Sequence, residues 1–171
     1  MYLALAMLKT YCHEIGESYY HLMSFGMSRC AVEIWREFVM QQSKRRILVI
    51  DDDAFVRESL TALLRKDGYL ATEASSGAQG IELALRAPPH MILCDLLMPG
   101  IDGFGVLARV RAEPSTAAIP FVFITSSTDP GDSRLGFQLG ANDYLVKPID
   151  CAMLSALVRE RLGQTAGTTV S

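Results

Sequence analysis

From Ile47 onward the chain alternates short apolar runs with longer amphipathic ones, and no other feature restricts the fold as much. The runs at 47–50, 91–94 and 121–125 are too short for helices and read as strands buried on both faces. A less apolar strand is expected at 69–73 and a fifth at 144–146. Helical spacing predicts helices over 54–66, 77–86, 103–111, 132–139 and 151–162. In the first of these Phe55, Ser59, Ala62 and Leu63 are expected to share a face, and Gly68 stops the helix. In the second, Ile81, Ala84 and Leu85 form a face, and Pro88-Pro89 ends it. In the last, Leu154, Leu157, Val158 and Leu162 do the same. Five strands alternating with five helices imply an α/β fold, a doubly wound five-stranded parallel sheet with helices on both faces.

The rest of the chain lacks that alternation. Residues 1–43 read as an N-terminal extension, partly helical or disordered, and 41–46 is a polar, basic boundary. Within the extension, 31–40 reads as an amphipathic helix, with Val32, Trp35, Phe38 and Val39 opposite Glu33, Arg36 and Glu37. Tyr11, Tyr19 and Tyr20 follow no period, and Met40 stands where a natural start of the regular domain belongs. The extension is thus either a docking or pairing helix or a dispensable stretch. The regular domain is expected over 44–163, long enough for one packed core, with a flexible tail at 164–171.

Composition excludes several classes. Hydrophobic residues at 50% and charged residues at 20% are those of a globular chain, not a disordered one. A net charge of −3 provides no basic excess for a phosphate backbone, so direct nucleic-acid contact is not expected. The apolar start is broken by Lys9, well short of the roughly 20 residues of a membrane span, and no basic segment precedes it as in a secretory signal. Cys12, Cys30, Cys94 and Cys151 form no CxxC pair, which suits a reducing, cytoplasmic compartment. Cys94 alternates away from its neighbour Asp95 and reads as a small core residue.

In open parallel sheets ligands bind beyond the carboxyl ends of the strands. Asp51, Asp52 and Asp53 follow the first strand and Asp95 the third; Thr125 ends the fourth, before Ser126 and Ser127; Lys147 follows the fifth. Two carboxylates about 4 Å apart at an effective dielectric of about 20 repel by about 4 kcal/mol, so such a rim calls for a cation or for protonation. Mg²⁺ (or Mn²⁺) suits oxygen ligands of this kind. Lys147 offers a point charge and Thr125 a hydroxyl for phosphoryl oxygens, and together these groups suit phosphoryl transfer. Alone, the three aspartates would serve as a helix cap; Asp53 is expected to keep that role.

These segments resemble the receiver domain of two-component response regulators, of the stand-alone, chemotaxis-regulator-like type. The resemblance rests on ILVIDDD (47–53), ILCDLLMPGIDGF (92–104), FVFITSS (121–127) and GANDYLVKP (140–148), in order and each at a strand end. It implies a flavodoxin-like fold, with Asp95 as the phospho-accepting residue. It implies Asp51 and Asp52 as the acidic metal pair, Asp52 direct and Asp51 through water, with Asp95 and the Leu97 backbone carbonyl completing the Mg²⁺ ligands. Thr125 and Lys147 would bind the phosphoryl group, Thr125 and Tyr144 would form the switch, and Lys147–Pro148 would be cis. The implied protein is no enzyme beyond its own phosphorylation and dephosphorylation. Its partners would be a sensor histidine kinase or phosphotransfer protein and a downstream protein target, met through 132–139, 144–146 and 151–162. A monomer or weak dimer is expected.

Ser126 departs from the small Ala or Gly usual in that family, Gly105, Gly131 and Gly136 loosen two helices, and His90 is expected to be a solvated loop residue. With nine residues after Leu162, no output domain is expected there. The rival reading is a haloacid dehalogenase-type phosphatase with Asp51 as nucleophile and Asp53 as acid. Against it, Phe55 stands where that family prefers Thr or Val, and only Asp150 follows Lys147 where a later acidic motif belongs. A third reading, an interaction module without phosphorylation, would need one of the Asp, Thr or Lys groups to be missing.

Overall fold

The apolar runs become β1 (Arg46–Ile50), β2 (Leu70–Ala74), β3 (Met91–Cys94), β4 (Phe121–Thr125) and β5 (Asp143–Val146) in the computed structural model, which describes residues 44–163. The expectations for 1–43 and 164–171 lie outside the described residues. All strands pair in parallel in the order β2-β1-β3-β4-β5. The helices are α1 (Ala54–Lys66), α2 (Gly77–Arg86), α3 (Gly103–Ala112), α4 (Pro130–Gln138) and α5 (Cys151–Arg161).

Alternation along the strands divides the core in two. Leu48, Ile50, Ile92, Cys94, Phe121 and Phe123 pack with Ala84 of α2 and Val106, Leu107 and Val110 of α3. Ile47, Val49, Met91, Leu93, Val122 and Ile124 pack on the other face with Leu60 and Leu64 of α1 and Leu154 and Val158 of α5. Each Val, Leu, Ile, Phe or Met side chain among these contributes about 1.5–3 kcal/mol when fully buried. Each of the five helices among the described residues opens on a capping residue: Asp53, Ser76, Asp102, Asp129 and Asp150 each accept a backbone N–H from the first turn.

Register places the chemistry. Ile50 pairs with Cys94, so Asp51 and Asp95 emerge side by side from the two central strands. Thr125 pairs with Val146, which sets Lys147 one residue beyond the end of β4.

Some expectations change. The buried face of α1 is Leu60, Thr61 and Leu64, while Phe55 is 80% exposed. The Asp53 cap fixes the phase of the first turn, and Val56, Leu60 and Leu64, four residues apart, then meet the sheet. The fourth helix starts at Pro130 rather than at 132, because Asp129 caps it and proline is favoured in a first turn. His90 is no solvated loop residue. Its Nδ1 accepts the Arg46 N–H at 3.0 Å and its own N–H donates to the Arg46 carbonyl at 2.7 Å, so it pins the start of β1 to the entry of β3.

Candidate functional site

Asp51 is buried where β1 ends. Its N–H donates to the Ala74 carbonyl at 3.1 Å, its Oδ1 accepts the Asp53 N–H at 2.9 Å, and its Oδ2 accepts from Lys147 Nζ at 2.8 Å. Asp95 is held on β3's side by its N–H to the Ile50 carbonyl at 2.7 Å. Its Oδ1 accepts the Leu97 N–H at 3.3 Å and its Oδ2 accepts from Lys147 Nζ at 3.0 Å. The lysine is aimed by its own N–H, which donates to the Thr125 carbonyl at 2.7 Å. The Lys147–Pro148 bond is cis, as the resemblance implies.

Asp52 is exposed beside this pair, and one carboxylate oxygen each of Asp51, Asp52 and Asp95 lies within 4.8 Å of the others. Three carboxylates face one ammonium. Burial raises the Asp51 carboxyl above its usual range; Lys147 and the Asp53 N–H oppose this, and the charge of Asp95 adds to it. Burial works against the Lys147 ammonium, but the hydrogen bonds and charges of Asp51 and Asp95 outweigh it and raise its pKa. One lysine therefore leaves the cluster short of positive charge. An all-oxygen donor set with surplus negative charge fits Mg²⁺ or Mn²⁺.

The remaining residues arrange themselves around this centre. Thr125 is fully buried, and its hydroxyl oxygen accepts the Ser127 N–H at 3.1 Å. Tyr144 is half-buried, its ring 6.1 Å from that of Phe123, and its hydroxyl donates to the Ser127 carbonyl at 3.4 Å. Thr125 and Tyr144 thus meet at Ser127, whose own hydroxyl donates to the Asp132 carboxylate. Ser126 is exposed at the rim, and the Leu97 side chain is exposed beyond Asp95. Asp53 is the cap of α1, accepting the Phe55 and Val56 N–H groups. Cys94 is wholly buried; burial pushes its thiol well up, and its Sγ donates to the Asp95 carbonyl at 3.1 Å. Gly103 presses α3 against the site: a Cβ there would lie 2.5 Å from the Asp95 carbonyl oxygen and 2.8 Å from Phe123 Cε1.

Arg57, with its partner Glu73, escaped the sequence reading of the site. Arg57 donates to the Asp51 carbonyl at 2.7 Å and lies 3.7 Å from Glu73. The signal was the stripe Arg57, Thr61, Arg65, one residue per turn, on a helix whose other side drew the attention.

A family model for the response regulator receiver domain matches residues 47–159. The chain belongs to this family. The receiver is 38% identical over 123 residues to the DNA-binding response regulator MtrA of Mycobacterium tuberculosis, covering 72% of this chain and 53% of that protein. It is 39% identical over 120 residues to the DNA-binding dual master transcriptional regulator RpaA of a Synechocystis species, covering 70% and 50%. The chain thus spans about half the length of the response regulators it matches. Both are named as DNA-binding, which runs against the expectation of no direct nucleic-acid contact.

Among solved structures, a putative response regulator from Chloroflexus aurantiacus superposes with a TM-score of 0.68 at 36% identity, over 71% of this chain and 99% of that one. The receiver domain of a sensor histidine kinase from Pseudomonas aeruginosa does so with a TM-score of 0.66 at 30% identity, over 71% and 99%, and is described with a magnesium ion coordinated in its active-site cleft. No helix among the described residues is long and apolar enough to cross a membrane.

Proposed function

We propose that the receiver, residues 44–163, accepts a phosphoryl group on Asp95 from a phosphohistidine donor. The observation that carries this reading is the Lys147 ammonium donating to both Asp51 and Asp95 beside the open Asp52 carboxylate. A carboxylate oxygen of Asp95 attacks phosphorus, the P–N bond to the donor imidazole breaks, and the imidazole takes a proton. Asp51, Asp52, Asp95 and the Leu97 backbone carbonyl would hold Mg²⁺, Asp52 directly and Asp51 through water; Asp52 is the exposed member of the cluster, whereas Asp51 is buried against Lys147 and the Asp53 N–H. The ion, when bound, neutralises charge on the incoming phosphate. Lys147 then exchanges a carboxylate partner for a phosphoryl oxygen, and the Thr125 hydroxyl proton is directed to another. Transfer of this kind is mostly positioning and neutralisation, which these residues supply.

Drawing Thr125 toward the phosphoryl group changes its contact with Ser127 and frees Tyr144 to turn. The consequence is read on the side of α4, β5 and α5, where Leu135, Phe137, Val146 and Met153 are exposed. A protein partner on that face is the proposed output, with a histidine kinase or phosphotransfer protein upstream. The phosphatase alternative is not favoured: Asp53, its required acid, is occupied as the cap of α1.

The test is labelling with acetyl phosphate and with a phosphorylated histidine donor, with and without EDTA. Labelling should need a divalent cation and vanish in Asp95→Asn, which keeps its fold. Label that persists in Asp95→Asn, or that ignores EDTA, overturns the reading.

A further inference from the structure

The carbonyl oxygen of Asp51 lies just beyond the last register pair of β1, Ile50 with Ala74, and its partner is Arg57 Nη1 at 2.7 Å. The Arg57 side chain is 14% exposed and leaves α1 near its start. Its Nε stands 3.7 Å from Glu73 Oε2 on β2. Glu73 is itself fixed, its Oε1 accepting from Thr61 Oγ1 at 2.9 Å and from Arg65 Nη2 at 3.1 Å. A guanidinium is thus held from behind by a tethered carboxylate while its front reaches the main chain of the acidic loop.

That main chain decides where Asp52 goes. The Asp51 side chain is fixed by Lys147 and the Asp53 N–H, whereas the exposed Asp52 carboxylate has no hydrogen-bond partner among the described residues. Its position follows from the peptide that joins it to Asp51, and Arg57 holds the oxygen of that peptide. We propose that Arg57 is a positioning residue, fixing the Asp51–Asp52 peptide so that both carboxylates meet one divalent cation, with Glu73 orienting the guanidinium. This rests on the reading of the carboxylate cluster as a divalent-cation site.

Charge and position act in opposite directions here. A guanidinium bonded to the main chain of the acidic loop repels a cation bound by that loop, so removing its charge alone would tighten binding. Removing a group that orients metal ligands weakens it, commonly by about 10–100-fold. The sign of the change therefore separates the two, and a residue that merely ties α1 to β2 would move stability and leave affinity alone.

The experiment measures Mn²⁺ and Mg²⁺ affinity of the full chain by calorimetric titration, with urea unfolding alongside, for wild type, Arg57→Gln and Arg65→Gln. Arg57→Gln should bind both ions roughly tenfold more weakly. Arg65→Gln loses a contact to the same Glu73 but none to Asp51, and should bind as wild type does. Metal-induced amide shifts at Asp52 and Asp53 should shrink in Arg57→Gln alone. Should Arg57→Gln fail to fold, Arg57→Lys decides: it keeps the charge but cannot reach Asp51 and Glu73 together, and should bind more weakly than wild type. Affinity equal to or tighter than wild type in the folded Arg57 variant overturns this role and leaves the phosphorylation reading intact. A wild-type chain that binds neither ion overturns both.

Discussion

Lys147 divides its ammonium between two carboxylates, 2.8 Å from Asp51 and 3.0 Å from Asp95. It occupies the oxygen atoms that a divalent cation would neutralise, so it competes with the ion as well as completing the site. Lys147→Met should therefore bind Mg²⁺ more tightly, by roughly tenfold, or about 1.4 kcal/mol. The same variant should unfold more easily without metal, by about 2 kcal/mol, because two buried carboxylates lose their counter-charge. Calorimetric titration and urea unfolding check both, and an affinity at or below that of wild type contradicts the competition.

Gly103 has no room for a side chain. A methyl group there would meet the Asp95 carbonyl oxygen at 2.5 Å and the Leu96 Cα at 2.8 Å, both backbone. Gly103→Ala should cost about 2–3 kcal/mol, the scale of an overpacked core, and slow labelling of Asp95. Stability and labelling rate both equal to wild type would show that α3 shifts freely.

The exposed Leu97 side chain follows Asp95 by two residues and carries no group that orients water. Leu97→Asn, which supplies an amide at the same rim, should hasten loss of the phosphoryl group by severalfold. Decay of the labelled protein after removal of the donor measures this, and equal rates refute it.

His90 links stability to pH. Burial first, then the charges of Arg46 and Arg45, lower its imidazole pKa below 6.5 in the folded chain. The unfolded chain thus takes up the proton first as pH falls, and the stability that His90 contributes is present above 6.5 and lost below it. Wild type should lose more of its urea midpoint than His90→Asn between about pH 7.5 and about pH 5.5, a window spanning the ordinary imidazole pKa. An equal loss in both chains places the titration elsewhere.

The order of strands and helices was legible because two-faced burial leaves short, continuous apolar runs, as in β1, β3 and β4. The site was legible for a related reason: Asp51, Asp95, Thr125 and Lys147 stand at or just beyond strand ends, and register turns that shared position into proximity. The buried face of α1 was not, since apolar Phe55 and exposed Ala62 imitate a core stripe and only the Asp53 cap sets the phase. Arg57 and His90 were missed for another reason. Their partners are main-chain atoms and a glutamate on a neighbouring element, and such contacts leave no period in a sequence.

Lys147 reaches Asp51 across 96 residues and Asp95 across 52. At about 5–20 residues per second, several seconds of synthesis separate the second carboxylate from its counter-charge. Throughout that interval a nascent chain carries both acidic strand ends without the lysine, and if β1 and β3 pair, only a cation or protonation offsets the repulsion. The pairing that builds the middle of the sheet thus works against charge until the last strand emerges. The counter-charge of the pocket is for that reason the last of its charged groups to be made, and a chain cut short before Lys147 carries the carboxylates without it.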